Sequence, residues 1–362
     1  MTQKENCIVL TLDAGGTNFV FSAIQNGKEI VEPIRLPAQA DDLDKCLGNV
    51  KKGFHAVIDK LTEAPVAISF AFPGPADYAH GIIGDLGNFP SFRGGIALGP
   101  CLEDEFGIPV FINNDGNLFA YGEAMTGALP EINQRLKAAG SQKQYKNLIG
   151  ITLGTGFGCG VVVDGVLLTG DNGAGGDVWC LRNKKFPACI VEESVSIRAV
   201  KRVYREQSGD ETALEPYDIF LIADGQKPGN REAAQKAFAE MGEMAGDAIA
   251  TALTLIDGIV VIGGGLAGAA KYILPALVKE LNGTIGTLGG DSFPRMQTTA
   301  YNLEEETDFQ SFARGEERTI KVPGSDRTVS YDPKMRVGIT VSKQGASKAI
   351  SLGAYHFALN NL

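Results

Sequence analysis

Two stretches of the chain, LTLDAGGTNFVFSAIQNGKEI from Leu10 and LIGITLGTGFGCGVVVDGVLL from Leu148, follow one plan. Each has an apolar run, a bend rich in glycine and threonine, an alternating run, and then a residue pair that tolerates positive φ. Those pairs are Asn26-Gly27 and Asp164-Gly165, and both suit a tight hairpin turn. Repetition of so specific a plan predicts two related lobes, each opening with a β-hairpin. The length agrees, because 362 residues exceed what one hydrophobic core usually supports.

Between and after these hairpins, strand-like and helical runs alternate. Val66 to Phe72 reads as a buried strand stopping at Pro73-Gly74-Pro75, and Pro109 to Ile112 as another stopping at Asn113-Asn114-Asp115. Leu43 to Leu61 reads as helical. Phe238, Met241, Ala245, Ile249, Leu253 and Ile256 recur by threes and fours, which predicts one long helix with a buried stripe before the strand Gly258 to Ile262. Alternation of this kind implies a mostly parallel α/β sheet, whose ligands bind beyond the carboxyl ends of the strands. The acidic stretch between Tyr301 and Lys334, with a hairpin around Pro323-Gly324-Ser325-Asp326, reads as a surface insertion; Arg336 to Val341 and Gly345 to Phe357 close the chain as strand and helix.

The glycine bends are the first candidates for chemistry. Backbone N–H groups of Asp13-Ala14-Gly15-Gly16-Thr17 and of Gly154-Thr155-Gly156-Phe157-Gly158 could converge on phosphates, with the Thr17 and Thr155 hydroxyls as further donors. Alone, either could be a plain hairpin bend; together they could grip a polyphosphate from two sides. Asp13 beside phosphates is unfavourable unless a divalent cation such as Mg²⁺ lies between them. A third cluster, Gly263-Gly264-Gly265, follows a buried strand and suits either a nucleoside surface or a strand-to-helix turn. Asp115 ends a strand and starts a helix, where it could be an N-cap or a general base for a substrate hydroxyl. Asn114 and Asn88 add neutral hydrogen-bonding groups suited to a polyhydroxylated ligand.

A net charge of −10 opposes binding to nucleic acid. No apolar run reaches membrane-spanning length and the N-terminus lacks the pattern of a secretory signal, so a cytoplasmic location is expected. Six cysteines lie scattered without C-x-x-C spacing, as reduced thiols do.

In this order LDAGGTN, FAFPGPAD, GNFPSFRG, INNDGNLFAYGE, ITLGTGFGCGVVVDG, GAGG and VVIGGGLA resemble the ROK family of bacterial sugar kinases, within the actin, hexokinase and Hsp70 ATPase superfamily. The resemblance implies an α/β fold of two ribonuclease H-like lobes with a central cleft. Its lobes would be residues 1–116 with 346–362 on the sugar side, and residues 117–345 on the nucleotide side, with the insertion near 301–334. It implies ATP and Mg²⁺, with the ion held mainly by ATP near Asp13, a hexose substrate phosphorylated at O6, and a homodimer. Residue by residue, Asp13, Gly15, Gly16 and Thr17 match the first phosphate motif, and Gly154, Thr155, Gly156 and Gly158 the second. Gly263, Gly264 and Gly265 fall on the adenosine motif, Asp115 on the catalytic aspartate, and Gly74, Asn88 and Asn114 on the sugar side. Glucose is the first candidate; fructose or an N-acetylhexosamine is the alternative.

Some positions depart from the family. Where it usually reads Gly-Ala-Gly-Glu-Ile-Gly-His, this chain has Gly173-Ala174-Gly175-Gly176-Asp177-Val178-Trp179, so Gly176 replaces a sugar-binding glutamate and Trp179 a histidine. Trp179 could stack on a sugar or simply fill space. The family's cysteine-rich zinc loop is missing; Cys180 and Cys189 offer only two thiolates, and no zinc is expected. A further family glutamate, four residues before a serine, is best matched by Glu192, with Glu193 as the alternative. ROK-type repressors carry a helix-turn-helix before the first phosphate motif, and only 12 residues precede Asp13. A non-catalytic sugar binder is the remaining rival to a kinase.

Overall fold

The structure, a computed structural model, describes residues 6–362. Strands β1 (Val9–Ala14) and β2 (Asn18–Gln25) form the first hairpin. A two-residue turn with Asn26 at φ 52° and Gly27 at φ 68° leads to β3 (Lys28–Glu29), as the residue types require. Strand β4 (Ile34–Pro37) also pairs with β2, and helix α1 (Leu43–Ile58) covers the sheet. After β5 (Ala67–Ala71), a small sheet of β6 (Ala76–Asp77), β7 (Ile82–Ile83) and β8 (Ile96–Ala97) precedes α2 (Leu98–Phe106) and β9 (Val110–Asn113). The main sheet runs β3-β2-β1-β5-β9, with β1, β5 and β9 mutually parallel. Phe19, Phe21, Phe54, Phe70, Phe72, Phe89 and Phe92 fill its core.

Helices α3 (Asp115–Met125) and α4 (Ala128–Ala138) lead to the second hairpin, β10 (Leu148–Leu153) and β11 (Phe157–Val163). Its turn places Asp164 at φ 49° and Gly165 at φ 82° before β12 (Val166–Leu167). Helices α5 (Ile197–Ser208), α6 (Pro216–Ala223) and α7 (Arg231–Ile256) precede β13 (Ile259–Gly263). Then come α8 (Ala270–Leu281), the exposed pair β14 (Thr284–Gly286) and β15 (Ser292–Pro294), β16 (Thr299–Asn302) and α9 (Glu306–Arg314). An exposed hairpin, β17 (Arg318–Lys321) and β18 (Thr328–Tyr331), precedes β19 (Arg336–Val341) and α10 (Ala346–Asn361). This second sheet runs β12-β11-β10-β13-β19-β16, so its first five strands repeat the order and directions of the first sheet.

Not all of the 301–334 segment is a surface insertion. Asn302 pairs with Ile339 at the edge of the second sheet, and α9 buries Phe309, Phe312 and Ala313 on one side. Phe309 and Phe312 lie three residues apart, a helical spacing that the acidic residues around them mask. Only the hairpin strands β17 and β18 stand wholly exposed.

Helix α3 joins the two sheets. Every residue from Gly116 to Ala124 is buried, as in a helix enclosed on all sides rather than a surface one. Gly116 and Gly150 bring it onto the second hairpin: a Cβ at Gly150 would lie 2.7 Å from Ala120 Cα, and one at Gly116 2.9 Å from the Cys159 carbonyl oxygen. Its other face crosses α10 where Gly122 and Gly353 meet, and a Cβ at either would run into the partner helix's backbone at Ala349 or Leu118. Helix α10 in turn packs Leu352, Tyr355, Ala358 and Leu359 against Val9, Ile24 and Ala67 of the first sheet.

Candidate functional site

Strand β9 delivers Asn113 to the sheet's carboxyl end, where the chain turns directly into α3. The buried Asn113 Oδ1 accepts from the Asn114 N–H at 2.9 Å and from Asn117 Nδ2 at 2.9 Å, which fixes the turn. Asn114, not Asp115, is the N-cap: its Oδ1 accepts from the Asn117 N–H at 2.6 Å. The capping role open to Asp115 in the sequence therefore falls to its neighbour. Asp115 stays exposed in the first turn of the helix.

A cavity of about 960 Å³ opens above this turn. It brings Gly74, Asn114 and Asp115 of the first half together with Gly154, Thr155, Gly156, Gly158, Glu192 and Gly264 of the second. The second glycine bend is therefore on the same cavity as Asp115. Gly264 takes φ 87°, and a Cβ there would lie 2.7 Å from the Leu153 N, so glycine is required for that close approach. Glu192 is anchored: its Oε2 accepts from the Phe157 N–H at 3.0 Å and its Oε1 from Arg198 Nη2 at 3.0 Å. Glu193 also takes Arg198, but does not line the cavity and is 47% exposed against 21% for Glu192.

Other predicted residues lie outside this cavity. Gly15, Gly16 and Thr17 are exposed, with Gly16 beside Asn88: a Cβ on Gly16 would make an ordinary contact, 3.5 Å, with the Asn88 carbonyl oxygen. Asp13 is exposed at the end of β1, opposite Val20. Gly263 is buried beneath the Phe119 ring and Gly265 is exposed at the start of a short 3-10 segment.

Asp177 and Tyr78 line the cavity without having been assigned a role from the sequence. Asp177 borders the cavity next to Gly176, which takes φ 95°, and Tyr78 enters it from the small sheet. Burial, then the negative charges of Asp115 and Asp177, push the Tyr78 phenol well above its usual range, so it stays a neutral donor. It donates to the Phe72 carbonyl at 2.9 Å. The adjacent Cys159 thiol is pushed up to about 12 by burial and secondarily by Asp177. Trp179 also lines the cavity and is 41% exposed. A carboxylate one position after the expected glutamate was the available clue to Asp177.

Cys180 and Cys189 are both exposed, and the Cys180 thiol donates to the Asp177 carbonyl at 2.9 Å. Among the described residues no three ligating side chains gather to hold a metal ion by themselves. A divalent cation here would need oxygens from a bound polyphosphate, and the exposed Asp13 carboxylate could orient its waters.

Two sheets of one topology, joined by a buried helix and opening on a cavity rich in glycine and carboxylates, define the actin-like ATPase fold of two ribonuclease H-like lobes. The chain belongs to the ROK family, whose sequence profile matches residues 9–287. A crystal structure of a glucokinase from Parabacteroides distasonis is 68% identical with TM-score 0.92, each chain covered over 100%. An N-acetyl-D-glucosamine kinase of Photobacterium profundum is 28% identical over 78% of this chain and 97% of its own length. In fold alone, the chain is also similar to a Streptomyces griseus ROK family glucokinase solved with glucose and AMPPNP, at 18% identity, TM-score 0.60 and coverage of 97% and 98%.

Proposed function

We propose that the protein transfers the γ-phosphoryl group of ATP to a hexose, glucose first, at the 6-hydroxyl. One observation carries this reading: Asp115 and the second glycine bend line the same cavity. That juxtaposition suits a base at one end and a phosphate cradle at the other. Similarity to the Parabacteroides glucokinase favours glucose, and similarity to the Photobacterium enzyme keeps N-acetylglucosamine as the second acceptor.

In this reading Asp115 accepts the proton of the attacking hydroxyl as that oxygen approaches phosphorus in line. The Gly154–Gly158 N–H groups and the Thr155 hydroxyl stabilise charge on the transferring group, and Gly15, Gly16 and Thr17 do so from the opposite side. Gly263–Gly265 form the surface for the nucleoside, with Gly264 nearest the cavity. Asp13 would orient the waters of a Mg²⁺ ion carried by the nucleotide, an ion that would supply neutralisation of phosphate charge. Asn88, Asn114 and Glu192 take sugar hydroxyls, and the backbone at Gly74 leaves room for the ring. Asp177 supplies the carboxylate that Gly176 lacks.

The test is coupled ADP release with Mg·ATP across glucose, fructose, N-acetylglucosamine and N-acetylmannosamine. Sugar-dependent turnover with one of them is the expected result. Sugar binding in a calorimeter without ADP release from any of them would reassign the protein as a non-catalytic sugar binder.

A further inference from the structure

A second cavity, of about 670 Å³, shares no lining residue with the first. It lies between the loop after α4, the last turn of α9 and the exposed hairpin, with Lys143, Arg314 and Arg336 among its walls. Its size falls within the roughly 300–1,000 Å³ typical of small-ligand pockets.

Arg336 is the unusual member. It is 3% exposed at the first residue of β19, and although its Nη2 donates to Asp332 Oδ2 at 2.5 Å, its Nε and Nη1 have no hydrogen-bond partner. Such a guanidinium leaves donors unmet, at a cost that a ligand oxygen could relieve. The Asp332 carboxylate is already committed, accepting also from the N–H groups of Glu316 at 3.1 Å and Lys334 at 3.0 Å. Gly315, at φ 60°, makes room beside the pair: a Cβ there would run into Arg336 Nη1 and Asp332 Oδ2.

The rim adds two more cations. Among the described residues neither Lys143 nor Arg314 forms an ion pair; Lys143 sits 5.4 Å from the Tyr145 ring centre. Two carboxylates, Asp332 and Glu317, face these three cations, so the cavity is net positive on a chain of net charge −10. Glu317 accepts from the Ser330 hydroxyl. Ser141, Ser311, Gln142 and Gln310 supply neutral hydrogen-bonding groups around the charge.

We propose that this cavity is a binding site for a phosphorylated sugar, with Lys143, Arg314 and Arg336 receiving the phosphate and the serine and glutamine groups the hydroxyls. Guanidinium and ammonium groups suit phosphate oxygens, and hydroxyls and amides suit a polyhydroxylated body. The choice of the hexose phosphate rests on the reaction proposed above; the anion site does not.

Calorimetry on the full chain tests it, with glucose 6-phosphate, N-acetylglucosamine 6-phosphate, inorganic phosphate and free glucose as probes. One of the sugar phosphates should bind wild type and Asp115→Ala alike. Lys143→Gln and Arg314→Gln, both exposed and away from the core, should each weaken that binding about tenfold, as loss of one charge-assisted contact does. Glu317→Gln should strengthen it. Binding that vanishes in Asp115→Ala and ignores the three cavity variants would place the phosphate in the catalytic cavity and overturn the proposal. Inorganic phosphate binding as tightly as either sugar phosphate would overturn the sugar part. Should no hexose support turnover, charge-dependent binding here still upholds the anion site while the kinase reading alone fails.

Discussion

The bend at Gly154–Gly158 is held from outside: Glu192 accepts the Phe157 N–H at 3.0 Å, the Ile197 N–H donates to the Gly154 carbonyl at 2.8 Å, and Arg198 reaches the Thr155 carbonyl at 3.5 Å. By contrast the bend at Asp13–Thr17 closes mainly on its own sheet, through Gly15 N–H to the Asn18 carbonyl at 3.1 Å and Ala38 N–H to the Thr17 carbonyl at 2.9 Å. One sequence plan makes both hairpins, but side chains distant in sequence shape only the second. The second bend is therefore built before ligand arrives, and in our proposal the first supplies the opposite side of the grip.

Substitution at the close-packed side should have the largest effect. Gly264→Ala places a side chain at φ 87° against Leu153, and should lower stability by about 1–3 kcal/mol in denaturant unfolding. An unchanged midpoint would mean the second bend is no stiffer than the first. Glu192→Gln removes the charge that holds Arg198 and weakens the hold on the Phe157 N–H; KM for sugar and ATP should rise by about tenfold. Glu193→Gln should leave both near wild type, and the opposite ranking would exchange their roles. Gly16→Ala adds only an ordinary contact near Asn88, so stability should stay within about 0.5 kcal/mol while KM for ATP rises. The smallest effect concerns thiols. Native protein should lose Cys180 and Cys189 to a thiol reagent while Cys159, pushed up to about 12 by burial and then Asp177, and Cys46, pushed up to about 11 by burial, remain unmodified. Rapid reaction at Cys159 would show the second hairpin opening freely.

Local rules carried much of this fold into view. Asn26-Gly27 and Asp164-Gly165 specify their turns because positive φ is a property of the residues themselves. Asp115 was visible because a strand end, a polar triplet and a helix start lie adjacent in sequence. What stayed hidden depends on partners far along the chain. Gly122 and Gly353 meet across 231 residues, and nothing near either tells of the other. The Asp115 carboxylate is separated from the N-cap only by the fold, in which the Asn114 Oδ1 accepts the Asn117 N–H. Asp177 gains a role only once the cavity forms around it, and the net positive pocket beside Arg336 needs three segments brought together.

The most direct test compares Asp115→Asn with wild type in two assays on the same preparation: sugar-dependent ADP release under Mg·ATP, and sugar binding by calorimetry. Loss of the base should lower kcat by about 10²- to 10⁴-fold while sugar affinity changes little. Wild-type ADP release from Asp115→Asn would contradict the account, because the cavity's second bend would then be acting without the carboxylate placed across from it.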